Sequence, residues 1–208
     1  LPNFRQSFLV FYLLNRKTLF IHYYIMPIET PICDFGQKAH PFELKSTENK
    51  LLKLNDIKGK NGTLIMFICN HCPYVKAITK DIVEDCSELE KFGINSVAIC
   101  SNDPINYPED SFENMVKFAK VNKFCFPYLN DDTQNIAKTY NAVCTPDFFG
   151  YNENLELQYR GRLRELKNLI PVRDGESDLL KAMKQIAETG KGPKKQIPSA
   201  GCGIKWKL

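Results

Sequence analysis

Residues 63 to 69, TLIMFIC, form an unbroken apolar run of strand length. A run without polar alternation predicts a strand buried on both faces, as in a parallel sheet. INSVAIC, residues 94 to 100, predicts a second. Between them Val75, Ile78, Ile82, Cys86 and Leu89 recur at helical spacing, and Gly93 marks the helix end. Upstream, Phe42 and Leu44 alternate, a polar turn covers Ser46 to Asn49, and Leu51, Leu52 and Leu54 return, which predicts a hairpin. Downstream, YPEDSFENMVKFAKVNK predicts a helix opened by a capping box between Asp110 and Glu113, ahead of Met115 and Phe118. FCFPYLN reads as a strand and DTQNIAKTYNA as a short helix. DFFGYNENLELQYRGRL reads as a hairpin turning at Asn152 to Asn154. ESDLLKAMKQIAETGKG is a last helix with Leu180, Met183, Ile186 and Ala187 on one face and Gly190 as its stop. This alternation predicts an α/β fold: a central sheet, mixed because of the closing hairpin, with helices on both faces.

Charge divides the chain into a middle and two ends. The formal net charge of +4 is small, but residues 1–25 carry Arg5, Arg16 and Lys17 with no acid. Residues 191–208 carry Lys191, Lys194, Lys195, Lys205 and Lys207, again with no acid. The middle is then slightly acidic, so a nucleic-acid partner has only the ends to rest on and is not expected. The apolar run FLVFYLL near the start is interrupted by NRKT, is followed by no small-x-small cleavage site, and is far short of the roughly 20 residues of a membrane helix. No membrane partner is expected. The first methionine is Met26, where globular patterning begins. The expected organisation is therefore a non-native or disordered extension over 1–25, one globular domain over 26–190, and a basic tail over 191–208.

Eight cysteines is a high count for 208 residues, yet only Cys69 and Cys72 are closely spaced. Long periodic segments do not fit a disulfide scaffold. Reduced thiols in the cytoplasm fit better, with Cys86, Cys100 and Cys125 as small apolar core residues.

The stretch ICNHCPYV places Cys69 at the end of the buried strand and Cys72 in the first turn of the next helix. Two side chains three apart there share a face and can reach disulfide distance. The unpaired N–H groups and the helix dipole favour a thiolate. A free thiol of pKa about 8.5 is only slightly ionised at neutral pH. Roughly 1.4 kcal/mol of stabilisation shifts that by about one unit. His71, if protonated, adds to it, with an exposed loop histidine as the alternative reading. Pro73 suits a first turn, where its missing N–H costs nothing. The chemistry is that of a dithiol switch, in which one thiolate attacks and its neighbour resolves. Half of a zinc site, completed by Cys144 or His71, and two structural cysteines are the alternatives.

The pair CNHCP and, far downstream, CTPDFF resembles the thioredoxin-fold redoxins, close to the peroxiredoxin-like branch of the alkyl hydroperoxide reductase/thiol-specific antioxidant family. The resemblance runs from about Cys33 to the GCGIKWK tail. It implies a thioredoxin-like fold, a cis Thr145–Pro146 bond packed opposite Cys69 and Cys72, and Thr145 backbone groups positioned for an extended substrate. It implies no organic cofactor, and the chain has no nucleotide-binding glycine pattern. Expected partners are a protein or small-molecule disulfide or a hydroperoxide, and a reducing system such as thioredoxin or glutathione.

The motif also departs from its relatives. Peroxiredoxins carry a Thr three residues before the peroxidatic Cys, and an Arg that completes the peroxide pocket. If Cys72 matches that Cys, Cys69 replaces the Thr and Thr145–Pro146 stands near the place of the Arg. The expectation is therefore a thiol–disulfide oxidoreductase; the likeness to thioredoxins implies that Cys69 attacks and Cys72 resolves, with His71 and Pro73 tuning. The inverse, a peroxidase with Cys72 peroxidatic, and a metal-binding module on Cys69 and Cys72 are its rivals. Cys144 and Cys202 are further candidate redox thiols. The first also reads as a packed strand-end residue. The second, in a Gly-rich segment, reads as exposed and inert unless the tail folds back. Trp206 reads as an anchor for the tail. Asp103 and Asp110 could line a cleft, though a helix cap is the simpler role for Asp110.

Overall fold

The computed structural model describes residues 27–31 and 35–207. The extension expected over 1–25 and Cys33 lie outside the described residues. In chain order the elements are β1 (Ile28–Glu29), β2 (Glu43–Ser46), β3 (Leu51–Lys53), α1 (Leu54–Ile57), β4 (Gly62–Phe67), α2 (Pro73–Glu90), β5 (Ile94–Cys100), α3 (Phe112–Val121), β6 (Tyr128–Asn130) and α4 (Asn135–Thr139). They continue with β7 (Cys144–Thr145), β8 (Asp147–Asn152), β9 (Leu157–Tyr159), β10 (Leu166–Lys167), β11 (Ile170–Pro171), α5 (Asp178–Thr189) and β12 (Ala200–Gly203).

The central sheet has the order β3-β2-β6-β5-β4-β8-β9. β4 runs parallel to β5 and antiparallel to β8, and every residue of β4 is buried. That is why its sequence does not alternate: both faces are covered. Leu64, Met66 and Ile68 face a core shared with Val75, Ile82, Met115 and Met183, under α2, α3 and α5. Ile65 and Phe67 face the opposite core, with Leu54, Ile57, Ala137 and Tyr140. The two-residue period sends successive β4 side chains into the two cores. This is the thioredoxin-like α/β arrangement that the paired motifs imply.

Three expectations change. The cap of α3 is Ser111, whose Oγ accepts from Asn114 N, and not Asp110. Cys125 is exposed rather than core. It lies between α3 and β6, where the Phe124 and Phe126 rings meet at a tilt with centroids 4.6 Å apart and pack into the core. The tail is no loose appendage: β12 pairs with both β1 and β7.

α2 and α5 meet at a buried polar contact, where Ser177 Oγ donates to Asp85 Oδ2 at 2.5 Å and accepts from Leu180 N at 2.9 Å. Burial pushes the Asp85 carboxyl up to about 6, against the Ser177 bond and the Arg164 charge. A carboxyl raised in the folded state binds its proton more tightly there. Stability therefore falls as pH rises from about 4 to about 6 and stays lower above that. An Asp85→Asn substitution keeps the acceptor for Ser177 and removes the buried charge. We expect it to stabilise by about 2 kcal/mol at pH 8, seen as a Tm rise of about 4–8 °C. The gain should vanish near pH 4, where Asp85 is already neutral. An equal shift at both pH values would refute the charge argument.

Candidate active site

The site lies where β4 runs out. Ile68 N still bonds Ile99 O at 3.0 Å, and the chain then turns through Cys69–Asn70–His71–Cys72 into α2. Cys72 is the N-cap of α2 and Pro73 follows it at the first helical position. The turn is fixed by Asn70: its N–H reaches Asp110 Oδ1 at 2.7 Å, its amide donates to Glu109 O at 2.9 Å, and Tyr128 OH donates to its Oδ1 at 3.0 Å.

Opposite the turn, the Thr145–Pro146 bond is cis. Cys69 Sγ lies 3.2 Å from Thr145 Oγ1. In its thiol form Cys72 donates to Thr145 O at 3.0 Å. Both cysteines have no exposed surface. The third thiol is Cys202. β12 runs antiparallel to β7 with Cys202 opposite Thr145 and Gly203 opposite Cys144. This corrects the reading of Cys202 as exposed: the tail folds back, and the thiol is half-buried beside Cys72. The edge that the resemblance reserves for an extended substrate is taken by the chain's own strand.

Electrostatics separate the two cysteines of the motif. Hydrogen bonds from the Cys202 and Cys69 thiols hold Cys72 well below the ordinary thiol range. They outweigh its burial, and the Val75 and Cys202 backbone N–H groups add to them. Cys69 is pushed up, first by its bond to Cys72, then by burial and by the Asp110 charge. Cys202 is pushed up by the same bond to Cys72. The negative charge of the cluster therefore sits on Cys72, with protons on Cys69 and Cys202. On these directions the thiolate is favoured on Cys72 rather than on Cys69. Besides those hydrogen bonds, Cys72 stands at the helix N-terminus, since α2 begins at Pro73, and the dipole there favours an anion.

His71 has a carboxylate partner that was not legible in the sequence. Nδ1 of His71 and Oδ2 of Asp110 are 2.6 Å apart, and the ring stacks on Tyr107 with centroids 5.3 Å apart. Asp110 is buried and also accepts from His71 N at 3.3 Å and Asn102 Nδ2 at 2.8 Å. Burial would raise the Asp110 carboxyl, but these bonds outweigh it and the net shift is downward. His71 moves up, chiefly through Asp110. Asn102 in turn accepts from Lys205 N at 2.9 Å, while Gln134 grips Lys205 O at 2.8 Å and Lys207 N at 2.8 Å. Gln134 holds a left-handed backbone (φ 62°) to do so. These backbone clamps, rather than Trp206, fix the tail; the Trp206 ring is 41% exposed with Lys138 over it at 5.7 Å. One signal for Asp110 was available. Ser111 can cap α3 by itself, which leaves the acid before it free for another task.

The remaining candidates play other parts. The Cys144 thiol is buried and contacts Pro146 O at 3.5 Å, and burial pushes its pKa up. This is a packed strand-end cysteine. Asp103 holds a local turn through Ile105 N and Asn106 Nδ2. Among the described residues, the candidate donors that come within 4.8 Å of one another are Cys69, His71 and Asp110, a different set from Cys69 with Cys72. Since His71 and Asp110 bond each other directly, we read the three as part of the thiolate's surroundings.

A model described as the AhpC/TSA family matches residues 35–165. The chain belongs to that family. Peroxiredoxin Bcp of Bacillus subtilis is 25% identical over 161 residues, covering 74% of this chain and 98% of the relative. An uncharacterized conserved protein from Geobacillus kaustophilus has a crystal structure with TM-score 0.82 and 40% identity, over 87% of this chain and 96% of that one. A hypothetical protein from Sinorhizobium meliloti follows with TM-score 0.80 and 32% identity, over 88% and 99%. As an AhpC/TSA family member, the chain is a redoxin-type thiol redox protein. Thiol redox substrates and a reductant go with that class. Among the described residues no helix is long and apolar enough to cross a membrane.

Proposed function

We propose that this redoxin is a thiol–disulfide oxidoreductase in which the Cys72 thiolate attacks and Cys69 resolves. The observation that carries the reading is the cluster itself: Cys69 at the Thr145 hydroxyl and Cys72 at the Thr145 carbonyl, with the thiolate favoured on the cysteine at the helix N-terminus. The thiolate, not the thiol, is the nucleophile, and Cys69 is close enough to donate a hydrogen bond to it. Expulsion of the first product thiol leaves a mixed disulfide on Cys72. Attack by Cys69 then closes the Cys69–Cys72 bond and frees the second thiol. Thr145 contacts both sulfurs, Cys69 through its hydroxyl and Cys72 through its carbonyl.

Among the described residues, no arginine is left unpaired to align a peroxide at the thiolate. Each of the four arginines among the described residues pairs with a carboxylate elsewhere: Arg160 with Asp147, Arg162 with Asp178, and Arg164 and Arg173 with Asp81. Without a guanidinium to polarise the O–O bond, peroxide reduction loses its main electrostatic aid. A thiol peroxidase with Cys72 peroxidatic is the second reading, favoured by the low-pKa Cys72 and by the likeness to a peroxiredoxin.

Single-turnover stopped flow on the reduced protein, backed by mass spectrometry of quenched samples, tests the choice. We expect a disulfide such as oxidised glutathione to react at least tenfold faster than hydrogen peroxide, with a Cys69–Cys72 bond in the product. Faster peroxide reaction through a sulfenic acid on Cys72 would make the protein a peroxidase instead.

A further inference from the structure

The tail strand lies against the cis-proline loop more closely than a side chain would permit. A Cβ on Gly201 would stand 2.1 Å from Thr145 O and 2.7 Å from its carbonyl carbon. These are backbone atoms and cannot move aside. One on Gly203 would meet only the tip of Ile28 at 2.7 Å. Gly201 is thus required by close approach, and the approach puts Cys202 directly opposite Thr145, whose carbonyl touches Cys72. Ser199 locks the strand's entry, donating from Oγ to Pro146 O at 2.7 Å while its N–H bonds Thr30 Oγ1 at 3.0 Å. The clamps of Asn102 and Gln134 hold its exit. An extended segment paired to the cis-proline loop, with a cysteine facing the attacking thiolate, has the arrangement of a bound disulfide substrate.

We propose that Cys202 is a redox thiol of the centre, a second resolving cysteine carried on the chain's own strand in the place of a substrate peptide. The inference rests on Cys72 as the attacking thiolate. The Cys72 thiolate attacks a disulfide RSSR; the S–S bond breaks, one RS⁻ leaves and takes up a proton, and Cys72–S–SR remains. Cys202 loses its proton to solvent and attacks Cys72 Sγ. The Cys72–Cys202 bond forms, and the second RS⁻ leaves and is protonated. Two electrons have passed from the two cysteines to the substrate. Attack by Cys69 on Cys72 Sγ can then form Cys69–Cys72 and return Cys202 as a thiol, with no net oxidation. Cys202 has the advantage of access: it is partly exposed, whereas Cys69 has no exposed surface.

The test uses oxidised glutathione on the full chain. With Cys69→Ser, we expect the second glutathione to be released as well, leaving a Cys72–Cys202 disulfide by peptide mapping. With Cys69→Ser and Cys202→Ser together, one glutathione should stay on Cys72. Adding Gly201→Ala to Cys69→Ser lifts the strand while keeping the thiol, and should increase the trapped mixed disulfide at least fivefold. Stoichiometric trapping in Cys69→Ser alone, with no Cys72–Cys202 bond, would overturn the proposal. If the wild-type protein then still forms Cys69–Cys72, the functional reading survives that loss. If the wild-type protein does not react with glutathione disulfide, both readings fall.

Discussion

Replacing Cys72 by Ser should abolish reaction with oxidised glutathione, lowering the single-turnover rate on the order of 10³-fold or more, because the nucleophile itself is gone. Cys69→Ser should leave the first step within about tenfold of wild type, since only one of the hydrogen bonds to Cys72 is lost. This contrast separates the proposed assignment from the one that the likeness to thioredoxins implies, in which Cys69→Ser would be the dead variant. The pH dependence adds a second, independent reading. An ordinary thiol loses about tenfold in thiolate for each pH unit below its pKa of about 8.5. Cys72, held well below that range, should react at a nearly constant rate from pH 6 to 8. The measurement is the second-order rate of iodoacetamide alkylation, located by peptide mapping. A rate on Cys72 that rises tenfold per unit across this range would refute the assignment, as would an active Cys72→Ser.

The parts of the site that were legible lie on one continuous segment. TLIMFIC has no alternation because β4 is central, and Pro73 after Cys72 marks a helix start; both follow from local chemistry. What was missed depends on contacts between distant residues. His71 and Asp110 are 39 residues apart, and nothing near Asp110 shows that its carboxylate turns inward to a backbone turn of another segment. The glycines around Cys202 were read as flexibility because a glycine needed for close approach looks the same in sequence as one that merely loosens a loop. Only the neighbouring carbonyl of Thr145 distinguishes the two. Cys125 failed for a related reason: a cysteine between two phenylalanines has an apolar setting in sequence, while in space it is the two rings that pack into the core.

Asp110 carries the largest expected effect on stability. Its Oδ1 accepts two backbone N–H groups, from Asn70 and His71, and its Oδ2 accepts His71 Nδ1 and Asn102 Nδ2. In Asp110→Asn one of those pairs must face an amide NH₂, donor against donor, whichever way the amide is turned. Breaking a buried pair costs roughly 3–5 kcal/mol, and the partial exposure of His71 lowers that here to about 2–3 kcal/mol. The Tm should fall by about 5–10 °C. The sign of its pH dependence follows from the two shifts. The Asp110 shift is downward, so its share is present above about 3.9 and is lost as pH falls below that. The His71 shift is upward, so its share is present below about 6.5 and is lost as pH rises through its raised value. The gap between wild type and variant should be widest near pH 5–6 and narrower at pH 9, where neutral His71 keeps only a hydrogen bond. The variant also frees Asn102, one of the clamps on Lys205, and so loosens the strand that brings Cys202 to Cys72. Cys72 alkylation should then be faster at pH 8, through better access, and should fall at low pH, since its thiolate has lost both the Cys202 bond and a charged His71. An unchanged Cys72 profile in a variant that has lost the stability would confine Asp110 to a structural role.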